Sequence, residues 1–213
     1  GYTLSTLLKA LKTCDSPRFV RDVLGMLDTT AVDFTKDEVL LNVILDACVR
    51  LKDMRRLLLV VEKVKSTKMN PSVATISTLM KAFSSLRRIE DVKALWHEMT
   101  VVREMEPNEI SIGCVVDALV SNDALDDAVE LVKQWKGRVP VNCVIGSTLI
   151  KGFAIARDAN RAQEVYEMME SEGIQPNLVT LNTLLDAFAR SGKMDKAAEI
   201  LASIQNSKSL QPD

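Results

Sequence analysis

Histidine is nearly absent from this chain. The single copy, His97, lies in a helical pattern between Trp96 and Glu98, where a solvated or half-packed helix residue is a better reading than a general base. Cysteine is sparse as well: Cys14, Cys48, Cys114 and Cys143 stand far apart, with no C-x-x-C pair. That spacing speaks against a metal site or a disulfide framework and for thiols held reduced in a packed interior. No P-loop, G-x-G-x-x-G or H-E-x-x-H segment is present, so neither a cofactor nor a small-molecule substrate is expected, and the chain does not read as an enzyme. Acidic pairs such as Glu90-Asp91 and Asp126-Asp127 fall in the first turn of helical patterns, where they complement the helix dipole. No apolar run approaches the about 18 residues of a membrane span, so no membrane insertion is expected. A basic excess is also missing, with 27 Lys and Arg against 29 Asp and Glu and a pI near 5.6.

What the chain does have is one phrase in six versions. They are Ser5-Thr-Leu-Leu-Lys-Ala-Leu11, Asn42-Val-Ile-Leu-Asp-Ala-Cys48, Ser77-Thr-Leu-Met-Lys-Ala-Phe83, Gly113-Cys-Val-Val-Asp-Ala-Leu119, Ser147-Thr-Leu-Ile-Lys-Gly-Phe153 and Asn182-Thr-Leu-Leu-Asp-Ala-Phe188. Their starts are 37, 35, 36, 34 and 35 residues apart. At that period one supersecondary unit stacks on the next, burying a hydrophobic face that it cannot bury alone. Function is then sought on a surface that repeats rather than in one deep pocket.

Each repeat carries two helical patterns. First-helix quartets such as Leu41/Ile44/Leu45/Cys48 and Ile76/Leu79/Met80/Phe83, and second-helix quartets such as Leu57/Val60/Val61/Val64, follow the i, i+3, i+4, i+7 rule. No stretch alternates as a strand does. The spacing predicts an all-α solenoid of about twelve antiparallel helices. A small residue on every first helix (Ala10, Ala47, Ala82, Ala118, Gly152, Ala187) suits close approach between neighbours, and Trp96 and Trp135 are expected to anchor second-helix contacts. Pro71-Ser72, Pro107-Asn108, Pro176-Asn177 and Pro212-Asp213 stop one helix and offer an N-cap for the next, and Asp37 and Asn142 stand at the equivalent place without that Pro. These caps divide the chain into a single array of repeats 1–37, 38–72, 73–108, 109–142, 143–177 and 178–213. A chain that begins at Gly1 and tiles into whole repeats is expected to be a piece of a longer array.

The segment Leu178-Val-Thr-Leu-Asn-Thr-Leu-Leu-Asp-Ala-Phe-Ala-Arg-Ser-Gly-Lys-Met-Asp-Lys-Ala197, with Gly173-Ile-Gln-Pro-Asn177 before it, resembles the pentatricopeptide repeat consensus. The likeness is closest in the third, fifth and sixth repeats. The tetratricopeptide repeat has a similar period, but its aromatic and Leu-Gly signature is missing. The resemblance implies a right-handed superhelix with first helices on the concave side, and a single-stranded RNA-binding module of a mitochondrial or chloroplast factor for RNA processing, stability, editing or translation. The other reading is a solenoid adaptor that binds protein subunits of a large organellar assembly.

The resemblance also assigns residues. The fifth and last positions of each repeat face one base, giving the pairs Ser5/Asp37, Asn42/Ser72, Ser77/Asn108, Gly113/Asn142, Ser147/Asn177 and Asn182/Asp213. Position five is small or amide-bearing throughout, although Ser, Asn and Gly each cost roughly 0.5 to 1 kcal/mol against Ala inside a helix. The last-position residues are already accounted for as N-caps. A short Ser leaves room for a purine and Asn suits a pyrimidine, while a terminal Asp accepts from an imino N–H and a terminal Asn can donate. With protein and RNA running parallel, these rules imply guanine for the first repeat, a pyrimidine for the second, adenine for the third and fifth, and uracil for the sixth. Position two supplies a wedge between bases: Val39, Ile110, Val144 and Val179, with the smaller Ala74 in the third repeat. Phosphate contacts fall to Lys9, Lys81 and Lys151 at position nine and to Arg50 and Arg190 at position thirteen. Asp46, Asp117 and Asp186 occupy position nine in the alternate repeats, which suggests a ladder of Lys–Asp pairs between neighbours.

Overall fold

The computed structural model describes residues 16–29, 33–67 and 69–206. The first helix predicted around Leu4, Leu7, Leu8 and Leu11 lies outside them. Among the described residues every regular element is helical. The chain divides into two compact units, Gly1–Glu106 and Pro107–Asp213.

The first unit contains α1 (Pro17–Thr29), a 3-10 turn (Phe34–Lys36), α2 (Glu38–Leu51), α3 (Met54–Lys65), α4 (Val73–Ser85) and α5 (Ile89–His97). The second contains α6 (Glu109–Ser121), α7 (Leu125–Trp135), α8 (Cys143–Ile155), α9 (Ala159–Ser171), α10 (Leu178–Arg190) and α11 (Met194–Asn206). In the first unit α2 packs on α4, and each is backed by the helix that follows it, α3 and α5. In the second, α6, α8 and α10 pack side by side in one layer, with α7, α9 and α11 behind them. These are stacked helical hairpins, the solenoid arrangement that the periodicity predicts.

The apolar quartets are what this stacking buries. Leu41, Ile44, Leu45 and Cys48 on α2, Ile76, Leu79, Met80 and Phe83 on α4, and Ile112, Val115, Val116 and Leu119 on α6 are all buried. At about 25 cal/mol per Å² of apolar surface, each such side chain contributes about 1.5 to 3 kcal/mol, and no hairpin could bury them without a neighbour. Ala47, Ala82, Ala118 and Ala187 are also buried where successive first helices meet. In the fifth repeat Gly146 replaces the leading residue of the quartet because Met169 fills the space: a Cβ there would lie 2.2 Å from the Met169 sulfur. The tryptophans depart from expectation. Trp96 and Trp135 are only half-buried, and the Arg138 guanidinium lies 5.7 Å from the centre of the Trp135 ring. Trp135 is the last residue of its short helix.

Helix starts follow the predicted caps. Asp37, Ser72, Asn108, Asn142 and Asn177 each accept a hydrogen bond from a first-turn N–H of α2, α4, α6, α8 and α10. The 36-residue third repeat absorbs its length in a π turn at Glu98–Val102 that extends α5, where the N–H of Arg103 donates to the Glu98 carbonyl. Helix ends obey a second rule. The fifteenth residue of every described repeat is left-handed: Lys52 (φ 55°), Arg87 (58°), Asp123 (63°), Arg157 (59°) and Gly192 (72°). The residue after each donates back to Cys48, Phe83, Leu119, Phe153 or Phe188 at 2.9 Å, which ties off the last turn of the first helix.

Only Gly192 adopts that conformation without Cβ crowding, which costs a non-glycine residue about 1 kcal/mol. Arg157→Gly is therefore expected to stabilise the protein by up to about 1 kcal/mol in urea unfolding. A loss of stability would show that the arginine side chain contributes more than its backbone costs.

Candidate nucleic-acid interface

Within each unit, position one or five of a repeat meets the first turn of the next first helix, as the second, fourth and fifth repeats show. Position two is the most exposed. Val39, Ile110, Val144 and Val179 are 58%, 71%, 67% and 64% exposed, and Ala74 is exposed too. These aliphatic side chains follow an N-cap by two residues, on a turn where water would normally select a polar group.

Position five is less open than its candidate role suggests. Ser77 is 4% exposed, and its hydroxyl donates to the Val73 carbonyl at 2.8 Å. Ser147 is half-buried, with its oxygen 2.7 Å from both the Cys143 carbonyl and the Thr180 hydroxyl. Asn42 is half-buried and donates through Nδ2 to the Thr75 hydroxyl at 3.0 Å. Gly113 is half-buried, with nothing within 4 Å of an added Cβ, and Asn182 is exposed. Ser5, Asp213 and Lys9 lie outside the described residues.

These contacts give position five a packing role that sequence reasoning missed. The third residue of the next repeat is a fully buried Thr75 or Thr180, and the fifth residue of the preceding repeat partners its hydroxyl. A short polar side chain there adds a second partner to a buried hydroxyl that already donates to Glu38 or Asn177, a hydrogen bond of about 0.5 to 1.5 kcal/mol. The signal was present in the sequence as a Thr three residues after the cap.

Glu38 was missed as well. It is the first residue of the second repeat, and its carboxylate accepts from the Ser72 hydroxyl at 2.6 Å, the Thr75 hydroxyl at 2.8 Å and the Ser72 N–H at 3.3 Å. The Ser72 hydroxyl holds its carboxyl below the usual carboxylate range, helped by Thr75 and opposed by partial desolvation. The fourth repeat repeats the arrangement, with Asn142 Nδ2 donating to Glu109 at 3.1 Å while Asn142 Oδ1 caps Val144 and Ile145. In the fifth repeat Cys143 takes position one, with its sulfur 3.1 Å from the Thr180 hydroxyl.

Two of the phosphate candidates are neutralised locally. Lys81 pairs with Asp46 across the repeat boundary at 3.3 Å, the one rung of the expected Lys–Asp ladder that forms among the described residues. Asp186 pairs instead with Arg190 on its own helix at 2.7 Å, leaving Lys151 outside any ion pair with the described residues. Arg50 and Lys151 are exposed. His97 is exposed at the end of α5, and Cys48 is buried and in no disulfide while Cys114 and Cys143 are half-buried. Among the described residues no helix is long and apolar enough to cross a membrane.

Comparison with known proteins fits this architecture. A model of the pentatricopeptide repeat domain matches residues 28–85, the PPR repeat family model matches 141–190, and the single-repeat model matches 74–101 and 179–208. The chain belongs to the pentatricopeptide repeat family. The pentatricopeptide repeat-containing protein At3g61360 of Arabidopsis thaliana is 24% identical over 75% of this chain and 32% of its own length. At3g22150, a chloroplastic pentatricopeptide repeat protein of the same plant, is 25% identical over 72% of this chain and 18% of its own. The mitochondrial At5g19020 is 23% identical over 71% of this chain and 22% of its own. The chain therefore spans about a third or less of these relatives. Among solved structures, maize PPR10 bound to an 18-nucleotide psaJ RNA element superposes with a TM-score of 0.74 over 99% of this chain and 30% of its own, at 21% identity. The PPR domain of Arabidopsis protein-only RNase P 1 in complex with tRNA gives 0.63 over 82% of this chain and 94% of its own, at 23% identity. These likenesses establish that the fold of the pentatricopeptide repeat array is shared.

The Glu38 contacts carry a pH dependence. A carboxyl whose folded-state pKa is depressed adds stability that is complete above its unfolded value, about 4.3, and is lost as pH falls through the folded value. The difference in thermal midpoint between the wild type and Glu38→Gln is expected to shrink on acidification from about pH 6 to about pH 3. A difference that stays constant across that range would place the effect of the substitution in packing rather than charge.

Proposed function

We propose that this array is a sequence-guided single-stranded RNA-binding module of a mitochondrial or chloroplast factor that acts in RNA processing, stability, editing or translation. It acts by binding, not by catalysis. The observation that carries this reading is the exposed aliphatic residue at position two. Val39, Ile110, Val144 and Val179 lie mostly outside the core, yet a water-exposed helix start retains them. An apolar side chain beside a capping residue offers a surface on which an unstacked base can rest. PPR10 and the RNase P domain, which share the fold, were both crystallised with RNA. Size and polarity at positions five and last then set base preference, with Ser147/Asn177 reading adenine and Asn182/Asp213 reading uracil.

A second reading rests on charge. Phosphate contacts supply most non-specific affinity for nucleic acid, and here Lys81 and Arg190 are already tied to Asp46 and Asp186 in a chain of net charge −2. That balance favours an adaptor that binds protein subunits of an organellar assembly. It also makes any RNA affinity of this segment modest and steeply salt-dependent.

Binding to short single-stranded RNAs, followed by fluorescence anisotropy at low and physiological salt, separates the two. Val144→Ser combined with Val179→Ser alters only exposed side chains, so folding should hold while RNA affinity falls about tenfold, in line with loss of base stacking at two repeats. Asn177→Asp keeps the cap acceptor for the Thr180 N–H, now 2.9 Å away, but removes a donor, so the preference at the fifth base should move from adenine toward guanine. No binding by the wild type above a scrambled control would leave the adaptor as the function.

A further inference from the structure

Resting on the RNA-binding reading above, we infer that the acidic residue opening the second and fourth repeats, Glu38 or Glu109, is a third specificity determinant. Its carboxylate selects a base whose Watson–Crick edge carries an imino N–H, uracil or guanine, against one with a bare ring nitrogen, cytosine or adenine.

The inference follows from how hydrogens are distributed in the second repeat. Glu38 is acceptor-only when ionised, so the Ser72 and Thr75 hydroxyls must both donate to it. Thr75, having given its hydrogen to Glu38, can only accept from Asn42, and Asn42 Nδ2 fills that place at 3.0 Å. The other end of that amide, Oδ1, is buried and receives no hydrogen bond. Of the reading pair, Ser72 has thus spent its one hydroxyl hydrogen on Glu38, and Asn42 has spent one of its two Nδ2 hydrogens on Thr75. Besides the second Nδ2 hydrogen of Asn42, this end of the helix presents the half-buried Glu38 carboxylate beside the exposed Ser72, next to the exposed Val39. The one charged group among them is the carboxylate, and it can only accept.

A carboxylate attracts an imino N–H and repels a ring-nitrogen lone pair in the same place. Asn42 keeps the pocket small enough for a pyrimidine, so the second repeat is assigned uracil, where the pair Asn42/Ser72 alone leaves either pyrimidine. The fourth repeat likewise sets a carboxylate against the cap of the next helix. Asn142 gives an Nδ2 hydrogen to the exposed Glu109 and has its Oδ1 committed to two backbone N–H groups. The helix dipole explains an acid in the first turn of α2 or α6. It does not explain why both carboxylates reach across to the cap of the next repeat, which happens in each of the two repeats that begin with Glu.

The test uses the chain as it stands and two sets of four single-stranded RNAs, one set varying the base opposite the second repeat and the other the base opposite the fifth. Wild type should bind uracil about tenfold more tightly than cytosine at the second repeat, the scale of one base-edge hydrogen bond. In Glu38→Gln that ratio should fall to about twofold or reverse, because the Gln amide can donate to the cytosine ring nitrogen, while the adenine preference at the fifth repeat stays. An unchanged ranking at the second repeat with the fifth-repeat preference intact would overturn the inference and leave RNA reading standing. Absence of RNA binding by every variant would remove the functional reading and this inference with it. Glu109→Gln gives an independent trial if Glu38→Gln fails to fold by circular dichroism: Glu109 is exposed and meets the cap through one hydrogen bond, so its loss should leave the helices in place while the ranking at the fourth base shifts from uracil or guanine toward cytosine or adenine.

Discussion

Close approach of successive first helices is the constraint on which everything else in each unit rests. At position ten Ala47, Ala82, Ala118 and Ala187 are fully buried, so the helices close over a small side chain there. In the fifth repeat even Ala is too large without adjustment, since a Cβ on Gly152 would lie 2.5 Å from a Leu125 methyl and 2.8 Å from a Val120 methyl. Because the helices meet this closely, a polar side chain on one can reach the first turn of the next. The contacts of Asn42 with Thr75, Ser147 with Thr180 and Glu38 with Ser72 all depend on it. Tight stacking thus produces both the core and the polar seam along the helix starts.

That seam gives one set of residues two tasks. Ser72, Asn142 and Asn177 cap a helix and also stand where the family reads a base. Capping uses an acceptor and leaves the remaining hydrogens of the side chain for another partner. In the second and fourth repeats Glu38 and Glu109 take such a hydrogen, whereas the Asn177 amide nitrogen makes no hydrogen bond to the described residues. Repeats with similar reading pairs therefore differ in what they present, and the difference lies in a residue outside the pair.

Much of the architecture was legible in the chain because it rests on short-range patterns. The 34- to 37-residue period, the i, i+3, i+4, i+7 quartets and the caps at Asp37, Ser72, Asn108, Asn142 and Asn177 each depend on a few neighbouring residues. The tryptophans were misjudged because periodicity places a residue on the buried face without saying how far the neighbouring helix extends to cover it. Trp135 is half-buried and lies at the end of an 11-residue helix. The Lys–Asp ladder was likewise too regular an expectation: Asp186 has an arginine one turn ahead on its own helix, and a local partner wins over one on another repeat.

By itself the sequence determined the helical fold, the buried face of the described helices and the family, since all of these are properties of local spacing that recurs along the chain. Only the tertiary structure decided which polar groups remain available on the first-helix surface. Ser77 turns its hydroxyl back to its own helix, Asn42 gives its amide to Thr75, and Glu38 reaches a cap 34 residues away. Hydrogen-bond direction depends on which atoms meet across a stacked interface, and no spacing within a single repeat encodes it.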